Sequence, residues 1–173
     1  MANPGLTYLN GRFVPADQAS LPLMDAGFWL GINVFDVLSA RRGAIFKLEA
    51  HVDRFYRALH AVRITVPHDR AEFGDLIVET VRRSGLEDSY IQVIATRGPH
   101  MDTPITEWTP TVIINAIPYF EIVHPDVIAR GLRVRISSVR NVPIQSVDAK
   151  VKTVRYRLRQ AAELHDVGKL AIP

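Results

Sequence analysis

The chain has 173 residues, 47% of them hydrophobic and 23% charged, which is ordinary for a globular protein and enough for one domain or one and a half. It contains no cysteine, which excludes disulfide bonds and thiolate ligands for zinc or an iron–sulfur cluster. No apolar run approaches the roughly 20 residues of a membrane helix, and no signal-peptide pattern opens the chain, so we expect a cytoplasmic protein. The net charge of +3 is mild and its basic residues are scattered, so no nucleic-acid surface is predicted.

The first third of the chain has the pattern of two hairpins separated by a loop. Asn10-Gly11 is a strong short hairpin signal, and Arg42-Gly43 marks a second turn. The predicted strands are Leu6–Leu9 with Arg12–Val14, and Val34–Arg41 with Ala44–Leu48. Between the hairpins, glycines in residues 21–31 predict a loop whose backbone approaches another group closely.

Two helices and two strands are predicted next. Apolar residues recur every three or four positions in Glu49–Ile64, and again in Arg70–Ser84, which Gly85 ends. Strands rich in isoleucine and valine follow at Ser89–Thr96 and Thr111–Pro118. Together with the hairpins, these elements predict an α+β domain over residues 1–118.

The remainder reads as a connector followed by the beginning of a second domain. Residues 119–130 are the predicted connector, and Gly131–Val139 alternates apolar and polar residues as a strand does. A polar loop and one helix follow. Because one strand and one helix cannot bury a core of their own, residues 131–173 are interpreted as an incomplete domain.

Lys152 lies where that loop is predicted to become a helix. Thr153 opens a segment whose apolar residues fit one helical face: Val154, Leu158, Ala161 and Ala162. Positive backbone charge at a helix start favours the neutral, nucleophilic form of an amine and attracts anions. Such an amine is able to attack an aldehyde. Judged from the residues alone, Lys150 and Lys152 are equally solvated charges before a basic helix.

The stretch Lys152-Thr153-Val154-Arg155-Tyr156 resembles the segment around the Schiff-base lysine of the class IV (fold-type IV) aminotransferases, which use pyridoxal 5′-phosphate (PLP). The resemblance implies that Lys152 is the catalytic, cofactor-binding lysine and that Tyr156 hydrogen-bonds the phenolic oxygen of PLP. Taken as a residue type, Tyr156 equally fits helix packing. Arg155 departs from the asparagine or glutamine that many members carry.

Further motifs repeat the family pattern in chain order: Asn10-Gly11, Asp25-Ala26-Gly27-Phe28, Val34-Phe35-Asp36-Val37, residues 46–54 and residues 89–98. In the family, the arginine of the fourth motif holds the cofactor phosphate, which implies that role for Arg54. The assignment is physically sensible, because a planar guanidinium offers paired donors to phosphate oxygens. Without the motif, Arg54 would be read as an exposed helix charge.

The resemblance also implies that Phe35, Gln92 and Arg97 contact substrate, although Phe35 and Gln92 equally suit ordinary strand positions. D-amino-acid members follow the Thr-Arg-Gly motif with another arginine, and here Pro99-His100-Met101-Asp102 follows instead. Phe35, Gln92 and the segment 140–143 look most like the branch of amine transaminases. No histidine has metal-ligand spacing with carboxylates, so no metal is predicted.

The implied activity is transfer of an amino group from an amino acid or amine to a 2-oxo acid, with the freed Lys152 moving the proton. A homodimer is expected, because active sites in the family lie near the subunit interface. Family members continue well beyond this point, with an acidic partner for the pyridine nitrogen and the rest of the phosphate site. We therefore expect a fragment, one chain of a split enzyme or a truncated gene product.

Two alternatives stay open. An aminodeoxychorismate lyase-like enzyme would share the lysine and the phosphate arginine. A non-catalytic binding or assembly domain would keep the fold of the small domain without binding PLP.

Overall fold

The computed structural model describes residues 3–99, 104–121, 123–131 and 150–153. Within these residues, six strands form one antiparallel sheet in the order β2-β1-β6-β5-β3-β4. The strands are β1 (Leu6–Leu9), β2 (Arg12–Pro15), β3 (Asn33–Arg41), β4 (Ala44–Ile45), β5 (Ser89–Thr96) and β6 (Thr111–Pro118). The helices are α1 (Ala26–Trp29), α2 (Leu48–Val62), α3 (Arg70–Ser84) and α4 (Pro125–Arg130), with 3-10 turns at Ala16–Gln18 and Ile105–Glu107.

The hydrophobic core lies between the sheet and the apolar faces of α2 and α3. Phe55 of α2 and Phe73 of α3 are fully buried, and their rings stack with centroids 5.0 Å apart. The strands contribute alternate residues to this core, including Val34, Leu38, Ile91, Val93 and Ile114. Alternation of this kind leaves the intervening strand residues on the opposite face of the sheet.

Both predicted hairpin turns are confirmed. Asn10 and Gly11 have φ of +47° and +88°, and Arg42 and Gly43 have φ of +49° and +76°. Two successive residues with positive φ match the right-handed twist of the flanking strands, and asparagine and glycine adopt that conformation most readily. The first hairpin therefore pairs Leu9 with Arg12.

The prediction that the strand after the second turn reaches Leu48 was wrong. This strand, β4, ends at Ile45, and Lys47 has the left-handed φ of +49°. A left-handed residue breaks the extended conformation, and α2 begins at once with Leu48. The short β4 pairs with β3 only at Ala40 and Arg41, so it does not cover the rest of that edge of β3.

The predicted helix Arg70–Ser84 is confirmed residue for residue. Asp69 accepts a hydrogen bond from the Glu72 amide at 2.9 Å, and the Glu72 carboxylate accepts one from the Asp69 amide at 2.9 Å. This capping box sets the start of α3. Gly85 ends the helix with φ of +68°, as the sequence predicted.

Two short helices were not predicted. α1 lies inside the expected glycine loop, where the Asp25 side chain accepts a hydrogen bond from the Gly27 amide at 2.7 Å. α4 lies inside the expected connector and has Pro125 in its first turn, a favoured position for proline. None of the described helices is long and apolar enough to cross a bilayer.

The described residues up to Phe120 form one compact unit, to which residues 151–153 also belong, whereas α4 belongs to a second unit. The proposed domain limits, 1–118 and 131–173, stay a prediction. The strand predicted at Gly131–Val139 and the helix predicted after Thr153 lie outside the described residues.

Candidate functional site

The segment that carries Lys152 lies against the edge of β3 that β4 does not cover. The Phe35 amide donates a hydrogen bond to the Lys152 carbonyl oxygen at 2.9 Å. Next to it, the Thr153 hydroxyl lies 3.5 Å from the Asn33 side-chain oxygen, at the outer limit of a hydrogen bond. Backbone pairing of this kind fixes where the lysine leaves the main chain.

The Lys152 side chain reaches the aromatic ring of Phe35. Its Nζ lies 4.3 Å from the ring centroid, within the range of a cation–π contact. Only 6% of Phe35 is exposed, so the ring is a fixed wall beside the amine. Two residues that the sequence assigned to the site, Lys152 and Phe35, therefore meet.

Arg54 is held by Asp36, the residue after Phe35. Arg54 Nε lies 2.6 Å from Asp36 Oδ2, and Arg54 Nη2 lies 2.6 Å from Oδ1. Asp36 is fully buried, whereas 44% of the Arg54 side chain is exposed. Because both bonds run to one carboxylate, the plane of the guanidinium is fixed.

Asp36 also accepts hydrogen bonds from the Val37 amide at 2.7 Å and from His51 Nδ1 at 2.9 Å. Burial of the carboxylate raises the pKa of Asp36, but the hydrogen bonds from Arg54 and His51, with the charge of Arg54, lower it further. The net result is a pKa below the ordinary value of 3.8. The buried acid is therefore ionised at neutral pH.

Gln92 lies on the sheet face opposite α2 and α3. Its neighbours in β5, Ile91 and Val93, point into the core, whereas Gln92 is half-buried and pairs with Val37 of β3. Phe35 pairs with Ile94, two residues from Gln92, and paired residues of antiparallel strands project to the same face. Phe35 and Gln92 thus share this face of the sheet.

Arg97 contacts the end of α2. Its Nη2 donates to the carbonyl oxygens of Val62 at 2.9 Å and Arg63 at 3.1 Å. These carbonyls belong to the last turn of the helix, where acceptors lack intrahelical donors. The assignment of Arg97 to substrate binding stays a prediction.

The glycine loop makes the close approach that the sequence predicted. A Cβ added to Gly27 would lie 2.3 Å from Thr96 Cγ2, so no larger residue fits without movement. The Gly27 carbonyl accepts a hydrogen bond from Asn33 Nδ2 at 3.0 Å, and Asn33 in turn meets Thr153. The loop therefore supports the strand end that borders the lysine segment.

Comparison with known proteins identifies the family. The sequence profile of the amino-transferases of class IV matches residues 33–167. The chain belongs to the class IV aminotransferases. A Methanocaldococcus jannaschii protein, provisionally named a branched-chain-amino-acid aminotransferase, is 34% identical over 152 residues, which are 86% of this chain and 51% of that protein. The D-amino-acid transaminase of Arabidopsis thaliana is 30% identical over 79% of this chain and 35% of its own length.

Solved structures agree with this class IV assignment. The branched-chain amino acid aminotransferase of T.th., with pyridoxamine 5′-phosphate, superposes with a TM-score of 0.84 at 27% identity, covering 96% of this chain and 57% of that one. The Thermoproteus uzoniensis enzyme with norvaline has a TM-score of 0.80 at 23% identity, covering 96% and 57%, and shows the fold alone. This chain spans about half the length of the curated relatives reported above, or less.

Two class IV site residues escaped the sequence reading: Asp36 as a buried acid, and His51 as its partner. A signal existed, because Asp36 interrupts an apolar strand and His51 and Arg54 lie three residues apart on α2. Tyr156 and the segment 140–143 lie outside the described residues. Among the residues that the structure describes, no group of histidines and carboxylates is arranged to hold a metal.

Proposed function

We propose that this chain is part of a PLP-dependent aminotransferase that moves an amino group from an amino acid or amine to a 2-oxo acid, with Lys152 as its catalytic lysine. The observation that carries the proposal is the binding of Lys152 along β3 beside Phe35, next in sequence to the residue that holds Arg54. Membership of the class IV family supports the same reaction.

The donor groups present fit PLP in their chemistry. An amine is available to bind an aldehyde, and a guanidinium is a suitable partner for a phosphate. Arg54 already holds an oxyanion, the Asp36 carboxylate, with paired donors. Bound PLP would supply the aldehyde and a ring that accepts the electron pair of the substrate.

The residues would then divide the work. Arg54 binds the cofactor phosphate, and Lys152 first holds the cofactor and, once released, moves the proton of the substrate carbon. Phe35 and Gln92 line the substrate side of the sheet, and Arg97 and Tyr156 retain the roles that the family resemblance implies. Because Phe35 packs against Lys152, it also limits the path by which that amine moves.

We further propose a cytoplasmic homodimer. The segment before β3 exposes large apolar side chains that a second copy would cover: Leu23 is 74% exposed, Phe28 69% and Trp29 61%. Light scattering across a range of concentrations tests this, and a monomer at the highest concentration would contradict it.

The lyase alternative lacks comparable support, because the relatives reported above carry aminotransferase names. The binding-domain alternative differs in one measurable property, since that domain would not bind PLP. Binding of PLP at Lys152 therefore separates it from both enzymes, and amine–oxo acid turnover then separates the aminotransferase from the lyase.

The experiment is an absorption spectrum of the purified chain soaked in PLP, followed by borohydride reduction and peptide mapping. We expect a visible band of lysine-bound PLP and a reduced label on Lys152. Lys152→Ala should abolish both the label and any turnover, whereas Lys150→Ala, which removes an exposed lysine two residues away, should retain them. Label scattered over surface lysines, or turnover that survives in Lys152→Ala, would overturn the proposal.

A further inference from the structure

Asp36 is a carboxylate buried in the sheet core whose role neither the sequence nor the family match assigns. It is fully buried on β3, and its side chain faces α2. A buried carboxylate is unfavourable unless it is paired and hydrogen-bonded, and here four donor atoms surround it: Arg54 Nε, Arg54 Nη2, His51 Nδ1 and the Val37 amide nitrogen. A hydrophobic residue would fill this position at lower cost, so stability alone does not account for the acid.

The contact with Arg54 determines the orientation of the guanidinium. Asp36 engages Nε and Nη2, which form one side of the group, and Nη1 is not part of this contact. His51 adds to the constraint, because its Nδ1 lies 3.2 Å from Arg54 Nη2 and 2.9 Å from Asp36 Oδ1. An exposed arginine without such partners would sample many rotamers.

The same stretch of β3 also locates the lysine. Phe35 binds the Lys152 carbonyl, and Asp36 follows Phe35 directly in the strand. Successive residues of a strand project to opposite faces, so the lysine wall and the arginine holder lie on two sides of one edge. The positions of the amine and the guanidinium therefore both refer to two consecutive residues.

We propose that Asp36 is a positioning residue, which holds Arg54 in the orientation that binds the phosphate of PLP while Phe35 sets Lys152. The inference rests on the proposed function. Asp36 acts through Arg54, so its effect on phosphate binding disappears when Arg54 is absent.

The test is a double-mutant cycle on ligand binding. Binding of PLP and, separately, of inorganic phosphate is measured by calorimetry for the parent chain, Asp36→Asn, Arg54→Ala and the double variant. Asp36→Asn keeps the size and the acceptor for Val37 but removes the charge and one acceptor for Arg54. We expect about tenfold weaker binding of both ligands, because a charge-assisted bond is lost. Arg54→Ala should weaken binding at least as much, and the double variant should match Arg54→Ala.

Asp88→Asn is the matched control. It removes the same charge and breaks an ion pair with Arg41 of 2.9 Å, but that pair is exposed on another part of the sheet. Its ligand affinities should equal those of the parent chain. Thermal unfolding of every variant separates loss of binding from loss of fold.

Arg54→Lys covers the case in which Asp36→Asn does not fold. Lysine keeps the positive charge at a half-exposed helix position but cannot make the paired contact, so it should bind phosphate as weakly as Arg54→Ala. The inference is overturned if Arg54→Lys binds as the parent does, if folded Asp36→Asn keeps full affinity, or if the losses add in the double variant. Failure of the proposed function looks different: the parent chain then acquires no PLP on Lys152, while the phosphate measurements still decide the role of Asp36.

Discussion

Lys152 and Phe35 contact each other twice: the Phe35 amide donates to the Lys152 carbonyl, and the Lys152 ammonium nitrogen lies over the Phe35 ring. The backbone contact sets the position of the segment, and the side-chain contact sets the direction of the amine. Both depend on the short β4, which leaves this edge of β3 for the lysine segment.

The side-chain part of this contact predicts a measurable coupling in stability. In urea unfolding, Phe35→Leu and Lys152→Met should each lower the free energy of unfolding, and together by less than their sum. The shared contribution should be about 0.5–1 kcal/mol, the size of a cation–π contact. The pair Phe35→Leu and Lys150→Met should show no coupling. Simple additivity for Phe35 and Lys152 would contradict the contact.

Alanine at two glycines should act in opposite directions. Gly27→Ala places a methyl group against Thr96 and should destabilise the fold by about 1–3 kcal/mol through overpacking. Gly74→Ala, inside α3 with no atom within 4 Å of the new Cβ, should stabilise it by about 0.5–1 kcal/mol. Thr96→Ser removes the methyl group that clashes and should recover part of the loss in Gly27→Ala. Equal effects at the two glycines would argue against the close approach.

The lowered pKa of Asp36 predicts how stability depends on pH. A carboxyl group whose folded pKa lies below its unfolded value near 3.8 stabilises the fold above that value, and the contribution is lost as pH falls through the folded pKa. The stability advantage of the parent chain over Asp36→Asn should therefore shrink as the pH is lowered from neutral towards about 3. Chemical unfolding at several pH values measures it, and an advantage that grows on acidification would refute the ion pair.

Glu79 is the comparison for salt. Hydrogen bonds from Arg82 and Arg83 lower its pKa to about 2, but this cluster lies at the surface. High salt should suppress the pH-dependent effect of Glu79→Gln, because exposed charges are screened. The effect of Asp36→Asn should persist in the same buffers, because its carboxylate is buried.

Arg97 should stabilise the last turn of α2. Arg97→Ala leaves the Val62 and Arg63 carbonyls without that donor and should cost about 1.5–3 kcal/mol, as for a hydrogen bond to a charged group. Hydrogen exchange of the amides in the last turn of α2 should accelerate, whereas α3 should be unchanged. Arg57→Ala, an exposed arginine on the same helix, is the control. If Arg97 instead serves only substrate, KM rises in Arg97→Ala while exchange stays at the parent rate.

The sequence predicted the local elements well, because their determinants are neighbours in the chain. Asn10-Gly11 sets its turn, and the pair Asp69 and Glu72 with Gly85 sets both ends of α3. Lys47 was missed because a left-handed lysine has no sequence signal, and α1 was missed because four residues are too few for periodicity.

By itself, the sequence determined the family, the secondary structure around the two turns and the identity of the candidate lysine and phosphate arginine. Only the tertiary structure decided what those side chains meet: Asp36 for Arg54, and Phe35 for Lys152. The physical reason is distance along the chain. Turns and caps are decided by groups a few residues apart, whereas these contacts depend on the sheet order that brings α2 over β3 and on a β4 too short to cover the edge of β3.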